Sequence, residues 1–108
     1  MSQREEKKKL ALEYSPNAER NLVEIENYIT DKADAKTADG VVDKVLDRCD
    51  QLTDMPRSGK VRDEIADGVR SVTSGNFVIY YRIRSDKVEI LRVWHGSRDI
   101  AALRTELS

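Results

Sequence analysis

The sequence predicts a single α+β domain, with helices in its first half and an antiparallel sheet in its second. Residues 77–83 and 88–94 are runs of β-branched and aromatic residues on either side of the polar tetrapeptide Arg84-Ser85-Asp86-Lys87. That arrangement is typical of a β-hairpin with a short turn. Residues 16–52 instead repeat apolar residues at spacings of three and four, which indicates amphipathic helices. A length of 108 residues fits one domain.

The first residues predict a flexible arm followed by a short strand. Residues 1–9, MSQREEKKK, are polar and dense in charge, so they have no apolar surface to bury. Residues 10–14 alternate in polarity as a strand that can join the sheet. We therefore divide the chain into an arm at 1–9 and one domain at 10–108.

Two helices are expected next. Ser15 can cap free amides, and Pro16 suits the first helical position because its missing N–H is not needed there. The helix is expected to reach about Asp31, and a second one follows a short break, although Gly40 costs it roughly 1 kcal/mol relative to alanine. The two apolar stripes consist of Ala18, Leu22, Ile25 and Ile29, and of Ala38, Val41, Val42, Val45, Cys49 and Leu52. The resulting αα-hairpin should cover one face of the sheet.

The sheet half is predicted as a three-stranded antiparallel meander followed by a short helix. The segment 55–59, MPRSG, ends the second helix, and residues 60–67 form a loop or a short irregular strand. Residues 68–73 form the first strand of the meander, and residues 74–76 form its turn. Ser97 or Asp99 can cap the last helix, which places Ile100, Leu103 and Leu107 on one side.

Both faces of the central hairpin are rich in apolar residues. Alternation assigns one face to Phe77, Ile79, Tyr81 and Ile83 of the first strand and to Val88, Ile90, Arg92 and Trp94 of the second. The opposite face holds Val78, Tyr80 and Arg82, with Glu89, Leu91, Val93 and His95. We therefore expect both faces to be covered, either by this chain or by a partner.

Charge is distributed unevenly although the whole chain carries a net charge of only −1. Residues 17–54 contain five Lys/Arg and ten Asp/Glu, whereas residues 57–98 contain nine Lys/Arg and five Asp/Glu. One interpretation is a basic sheet surface that receives an acidic partner or nucleic acid, and the other is two ordinary solvated faces.

The sequence points to a cytoplasmic protein without a cofactor or a metal. A single cysteine, Cys49, cannot form an internal disulfide and is expected to pack on the apolar face of its helix. We find no signal peptide, membrane-spanning stretch, Ser-His-Asp order, metal-ligand cluster or glycine-rich phosphate loop. The one histidine, His95, lies at the end of a strand, where a structural hydrogen-bonding role is the ordinary expectation.

The segment Gly68 to Asp99 carries a family resemblance. Its sequence is GVRSVTSGNFVIYYRIRSDKVEILRVWHGSRD, and its marks are the Gly-Val-Arg opening, the IYYRI strand, the ILRVWHG strand and the final Arg98-Asp99. It resembles the C-terminal half of the RelE/ParE superfamily of bacterial toxins, and the ParE branch most closely. The similarity continues upstream through MPRSGKVR and the helices, so it covers nearly all of the chain beyond residue 9.

The resemblance implies a toxin of a type II toxin-antitoxin module. ParE-type toxins poison DNA gyrase without catalysis and are neutralised by a cognate antitoxin, ParD-like or another DNA-binding type. The alternative is a RelE-type endoribonuclease that cleaves messenger RNA on the ribosome, with Arg98, His95 and Arg82 as its residues here. That branch uses a tyrosine in the C-terminal segment, and this chain has none after Tyr81. A third possibility is a non-toxic relic that only binds its antitoxin.

The resemblance and the residue types together suggest where partners bind. The candidate residues for antitoxin or target binding are Arg70, Tyr80, Arg82, Arg92, Trp94, His95 and Arg98, with the outward side of the α-hairpin. Two alternatives stay open: Tyr80 and Trp94 can be core residues, and Arg70 can pair with an acid across the sheet. Contact with nucleic acid is expected only through the antitoxin or the target.

Overall fold

The computed structural model describes residues 9–107, and the predicted arm therefore lies outside the described residues except for Lys9. The order of elements follows the prediction, and of the two alternatives for residues 60–67 the structure has both a two-residue strand and a loop. The elements are β1 (Ala11–Tyr14), α1 (Pro16–Lys32), α2 (Ala35–Gln51), a 3-10 turn (Pro56–Ser58), β2 (Lys60–Val61), β3 (Arg70–Ser74), β4 (Phe77–Arg84), β5 (Lys87–His95) and α3 (Ala101–Leu107).

Side-chain caps begin both long helices. The Ser15 hydroxyl accepts a hydrogen bond from the Ala18 N–H at 3.0 Å, with Pro16 in the first turn as expected. The Asp34 carboxylate does the same for α2, accepting from the Thr37 N–H at 2.7 Å. Each cap satisfies an amide that has no partner inside the helix. Because Asp34 caps α2, the second helix can begin after a break of only two residues, 33–34.

The sheet has five strands in the order β1-β5-β4-β3-β2. Strands β3, β4 and β5 form the predicted antiparallel meander. Strand β1 joins β5 in parallel, pairing Ala11–Tyr14 with residues 87–90, while β2 pairs antiparallel with β3 at the opposite edge. Gly75 closes the β3-β4 turn at φ +58°, a left-handed conformation that glycine adopts without strain.

Two clusters of buried side chains lie on opposite faces of the sheet. The cluster under α1 and α2 includes Ile25, Val45, Cys49, Leu52, Ile79, Tyr81, Val88, Ile90 and Val93. The cluster under α3 and the β2-β3 loop consists of Ile65, Val69, Tyr80, Leu91, Trp94 and Leu103. The chain itself therefore covers both faces, which explains why neither central strand has a polar side.

A β-bulge changes the phase of β5. Tyr80 pairs with Arg92 and Tyr81 with Ile90, so Leu91 is the extra residue opposite this step. As a result Val88, Ile90 and Val93 face the α-hairpin, while Leu91 and Trp94 face α3. The predicted common face of Val88, Ile90, Arg92 and Trp94 is therefore wrong beyond Ile90, because simple alternation does not survive the bulge.

Side chains, rather than a strand, cover the end of β5 next to α1. Strand β1 stops at Tyr14, opposite Ile90, so within residues 9–107 the outer edge of β5 beyond that point has no paired strand. The Ser15 hydroxyl donates to the Leu91 carbonyl at 2.9 Å, and the Asn21 side-chain oxygen accepts from the Val93 N–H at 3.1 Å. Asn21 is only 5% exposed, so its hydrogen bond to β5 is buried, and this bond attaches α1 to the edge of the sheet.

Cys49 packs as the sequence predicts. It is fully buried under the α-hairpin, and burial raises the pKa of its thiol to about 11, which keeps it protonated near neutral pH. Across the described part of the chain, no helix has the length and apolar character needed to cross a membrane.

Candidate functional site

A groove of about 470 Å³ lies between α1 and the end of the sheet where β5 terminates. Helix α1 contributes one wall, formed by Asn21, Glu24, Ile25 and Tyr28. The sheet and the loop after β5 contribute the other, formed by Phe77, Val93, Trp94, His95, Ser97 and Arg98. Three of the predicted binding residues, Trp94, His95 and Arg98, are thus brought together here.

Arg98 stacks on Trp94. Its guanidinium carbon lies 3.9 Å from the centre of the indole ring, a cation–π contact, and Trp94 beneath it is 4% exposed. Arg98 itself is exposed, and no acceptor for its guanidinium is found among residues 9–107. The stacked plane holds the guanidinium in one orientation and leaves its N–H groups available to a ligand.

His95 is the second polar residue of the groove. Its Nδ1 accepts a hydrogen bond from the Ser97 N–H at 3.1 Å and lies 2.8 Å from the Ser97 hydroxyl. An imidazole that accepts at Nδ1 carries its proton at Nε2 when neutral. The ring packs edge-on against Phe77 with centroids 5.7 Å apart. His95 therefore has the expected structural hydrogen bond and also presents an exposed N–H donor.

Arg92 links the sheet to α3. It forms an ion pair with Glu106 and is 12% exposed, and its guanidinium lies 5.7 Å from the Trp94 ring centre. Burial, together with the nearby positive charges of Arg98 and Arg20, lowers the pKa of Arg92. Arg92 is a structural support of the groove and is not a free surface charge.

The other two predicted arginines also have partners inside the chain. Arg82 pairs with Glu89 of the neighbouring strand at 3.3 Å. Arg70 donates to the backbone carbonyls of Arg57 at 3.1 Å and Gly59 at 3.0 Å. The prediction that Arg70 pairs with an acid is therefore wrong, because backbone carbonyl oxygens of the loop before β2 accept its hydrogen bonds instead.

Tyr80 and Trp94 are core residues, which is the alternative to partner binding that the sequence left open for them. Their rings meet edge-on with centroids 6.2 Å apart, and Tyr80 is 4% exposed. The covering elements are α3 and the β2-β3 loop, and not the α-hairpin. Neither aromatic face is available to a partner while α3 stays packed.

The three residues suggested for ribonuclease chemistry are not assembled. His95 pairs with Phe77, and Arg82 lies five residues further along β4, which corresponds to roughly 16 Å along the strand. The two side chains also occupy opposite faces of the sheet, since Arg82 alternates with Tyr81 of the hairpin-facing cluster. Only His95 and Arg98 of that set share the groove.

The sequence indicates the α1 wall only in general terms, as part of the outward side of the α-hairpin. Ile25 is a core residue, as its stripe predicts, and it also lines the groove beside exposed Glu24. Tyr28, an aromatic residue outside the apolar stripe of α1, is 63% exposed. Single exposed apolar residues are normal on a protein surface, so Tyr28 by itself does not identify the groove from sequence.

Comparison with known proteins identifies the family. The family model for the ParE toxin of the type II toxin-antitoxin system parDE matches residues 12–100. Toxin ParE1 of Mycobacterium tuberculosis, found in strains H37Rv and CDC 1551, is 28% identical over 87 residues, covering 80% of this chain and 89% of the relative.

Solved structures share the fold. A chain of the chromosomal ParDE system of P. aeruginosa superposes with a TM-score of 0.72 at 20% identity, covering 80% of this chain and 95% of that one. A chain of the M. tuberculosis toxin-antitoxin complex RelBE2 gives a TM-score of 0.59 at 27% identity, covering 81% and 98%. Fold and comparisons together define a RelE/ParE superfamily toxin of a type II toxin-antitoxin system. The chain belongs to the ParE toxin family, which confirms the resemblance seen in residues 68–99.

Proposed function

We propose that this toxin binds DNA gyrase in the cytoplasm and traps it on cleaved DNA, with no catalysis of its own. We further propose that a cognate antitoxin, ParD-like or another DNA-binding type, holds it inactive. The ParE family match supports the target, and the ParDE and RelBE2 names of the structural relatives support the antitoxin. In this mechanism the damage to DNA comes from the chemistry of the target.

The observation that carries the proposal is the state of the arginines. RNA cleavage requires a group that removes a proton and several cations around the phosphate. Arg82 and Arg92 are paired with Glu89 and Glu106, and Arg82 lies on the far face from His95. In the groove, Arg98 is held in one orientation by Trp94, which suits recognition of a partner.

The test is a titration of the purified, antitoxin-free chain into a gyrase supercoiling reaction. We expect loss of supercoiling together with accumulation of linear DNA. No effect at concentrations that arrest growth in cells would exclude gyrase as the target.

RelE-type ribonuclease action is the second candidate, because His95 and Arg98 line the same groove and are both exposed. His95→Ala separates the two functions: it should abolish ribosome-dependent cleavage of messenger RNA if His95 is the acid-base group, and leave gyrase poisoning largely intact otherwise. Arg98→Ala cannot separate them, since either function uses that charge.

A relic without toxicity would instead allow normal growth when the soluble chain is expressed alone.

A further inference from the structure

We propose that the groove between α1 and the end of β5 binds one antitoxin segment in which a large apolar residue is followed by a carboxylate. The carboxylate is received by Arg98 and His95, and the apolar side chain lies between Ile25 and Phe77. The inference rests on the antitoxin partner proposed above, but it does not depend on gyrase being the target.

Arg98 is prepared for a carboxylate before any ligand arrives. An arginine normally loses side-chain freedom when it forms a paired contact, and that loss opposes binding. Stacking on Trp94 at 3.9 Å already favours one orientation of the guanidinium plane and so reduces that loss. Its N–H groups match the two oxygens of a carboxylate, an arrangement with both geometric specificity and a strong, charge-assisted hydrogen bond.

His95 adds a second donor from the same loop. Its Nδ1 accepts a hydrogen bond from Ser97, so in the neutral ring the proton lies on Nε2, and the residue is exposed. The loop from His95 to Arg98 is itself tied by a hydrogen bond from the Arg98 N–H to the His95 carbonyl at 3.0 Å. This turn sets the relative positions of the two residues in the backbone, while contact with Ser97 orients the His95 ring and stacking on Trp94 orients the Arg98 guanidinium.

The remainder of the groove is suited to an apolar side chain. Its volume of about 470 Å³ falls in the range of roughly 300–1,000 Å³ typical of ligand sites. Ile25 and the exposed Tyr28 line it from α1, and Phe77 lines it from β4. An apolar anchor beside a charged contact is the usual composition of a segment that docks in such a groove.

The charge of the α1 wall favours a protein segment over nucleic acid. Exposed Glu24 lies in the groove wall itself, and residues 17–54 carry ten acidic against five basic residues. Continuous phosphate backbones are repelled by such a wall, whereas a protein segment can meet it with a basic or neutral residue. The expected segment therefore has a basic or neutral residue near Glu24, the apolar anchor, and the carboxylate at Arg98.

The test uses tryptophan-free twelve-residue peptides that tile the antitoxin encoded beside this toxin. Trp94 is the only tryptophan of the chain and lies under Arg98, so its fluorescence reports occupation of the groove, with calorimetry giving Kd. We expect one peptide with the stated pattern to bind. Arg98→Glu should weaken it by roughly 30-fold or more, as expected for the loss of a desolvated charge pair.

Arg84→Glu is the matched control. It makes the same charge change at an exposed arginine next to the β4-β5 turn, at the opposite end of β5, and should alter Kd by less than about threefold. Replacing the acidic residue of the bound peptide by lysine should restore affinity for the Arg98→Glu toxin. Circular dichroism and a thermal melt of each variant show whether it is folded.

Unchanged affinity in a folded Arg98→Glu variant would overturn the inference. It would also be overturned if a single-stranded DNA 12-mer, and no peptide, changed the Trp94 signal. If the full antitoxin still bound Arg98→Glu while poisoning of the target was lost, the groove would belong to the target instead. A negative gyrase assay with intact peptide binding would leave the inference standing and remove only the proposed target.

Discussion

The phenol oxygen of Tyr81 fixes Gly59 in place. It accepts a hydrogen bond from the Gly59 N–H at 3.0 Å and donates one to the Pro56 carbonyl at 2.7 Å. Burial raises the pKa of the Tyr81 phenol, so the hydroxyl keeps the proton that it donates. One side chain of the sheet thus orders the loop that leads from α2 into β2.

Gly59→Ala should destabilise the protein by about 2 kcal/mol. A Cβ at this position would lie 2.9 Å from the Ser71 carbonyl oxygen and would press on the Tyr81 ring, and backbone oxygen cannot move away as a flexible side chain could. Urea unfolding measures the loss. Tyr81→Phe, which keeps the ring and removes both hydrogen bonds, should cost about 1–2 kcal/mol. A Gly59→Ala variant as stable as the parent would contradict the close packing.

Gly40→Ala should have the opposite effect and raise the free energy of unfolding by about 0.5–1 kcal/mol. Gly40 lies within α2, and an added Cβ would meet no atom within 4 Å. Alanine therefore lowers the entropy of the unfolded chain without introducing a clash. The same urea titration serves for both glycines. A decrease in stability would show that α2 does not tolerate a side chain here.

Asn21→Ala should cost about 1–3 kcal/mol, because the buried Val93 N–H loses its only acceptor within the described chain. Hydrogen exchange should show faster exchange at the Val93 amide than at amides paired between β4 and β5. Asn17→Ala is the control: Asn17 accepts from Arg20 on the exposed side of α1, and its loss should change stability by less than about 0.5 kcal/mol. Equal effects of the two substitutions would argue against edge capping by Asn21.

Acid should remove the electrostatic part of the α2 cap. Hydrogen bonds from the Thr37 N–H hold the pKa of Asp34 below its ordinary value. Because the folded pKa is the lower one, the charged form contributes stability above the unfolded pKa of about 3.9, and this contribution is lost as pH falls through the folded pKa. Urea unfolding from pH 7 to pH 2 should show a steeper decline for the parent than for Asp34→Asn. Parallel curves would mean that the charge of Asp34 is irrelevant.

Repeating patterns made most of the fold readable from sequence. The stripe spacing located α1 and α2, and Ser15-Pro16 located the start of α1 to the residue. The two-residue β2 has no period to detect, since its pairing with β3 depends on the loop ordered by Tyr81. The faces of β5 were read correctly up to Ile90 and no further, because a bulge has no fixed sequence signal.

The site was predictable in part. His95, Trp94 and Arg98 follow one another closely in the chain, so their proximity in the groove required only local structure. The pairing of Arg92 with Glu106 depends on how α3 returns over the sheet, which no local pattern specifies. The sequence points to the outward side of the α-hairpin without specifying the α1 residues of the groove, for the same reason: residues about 70 positions apart meet only in the folded chain.

The way α1 covers the edge of β5 bears on self-association. Aggregation by strand addition requires a long, open row of backbone donors and acceptors. Here one border of the sheet consists of the four residues of β1 followed by the capped end of β5. The other consists of the two residues of β2, one of them Lys60, and of residues 72–74 of β3, which β2 does not pair. Each border is therefore broken into short stretches, which are poor templates for a further strand. We expect the toxin to show little tendency to form fibres when it is handled without its antitoxin at the concentrations that the binding measurements require.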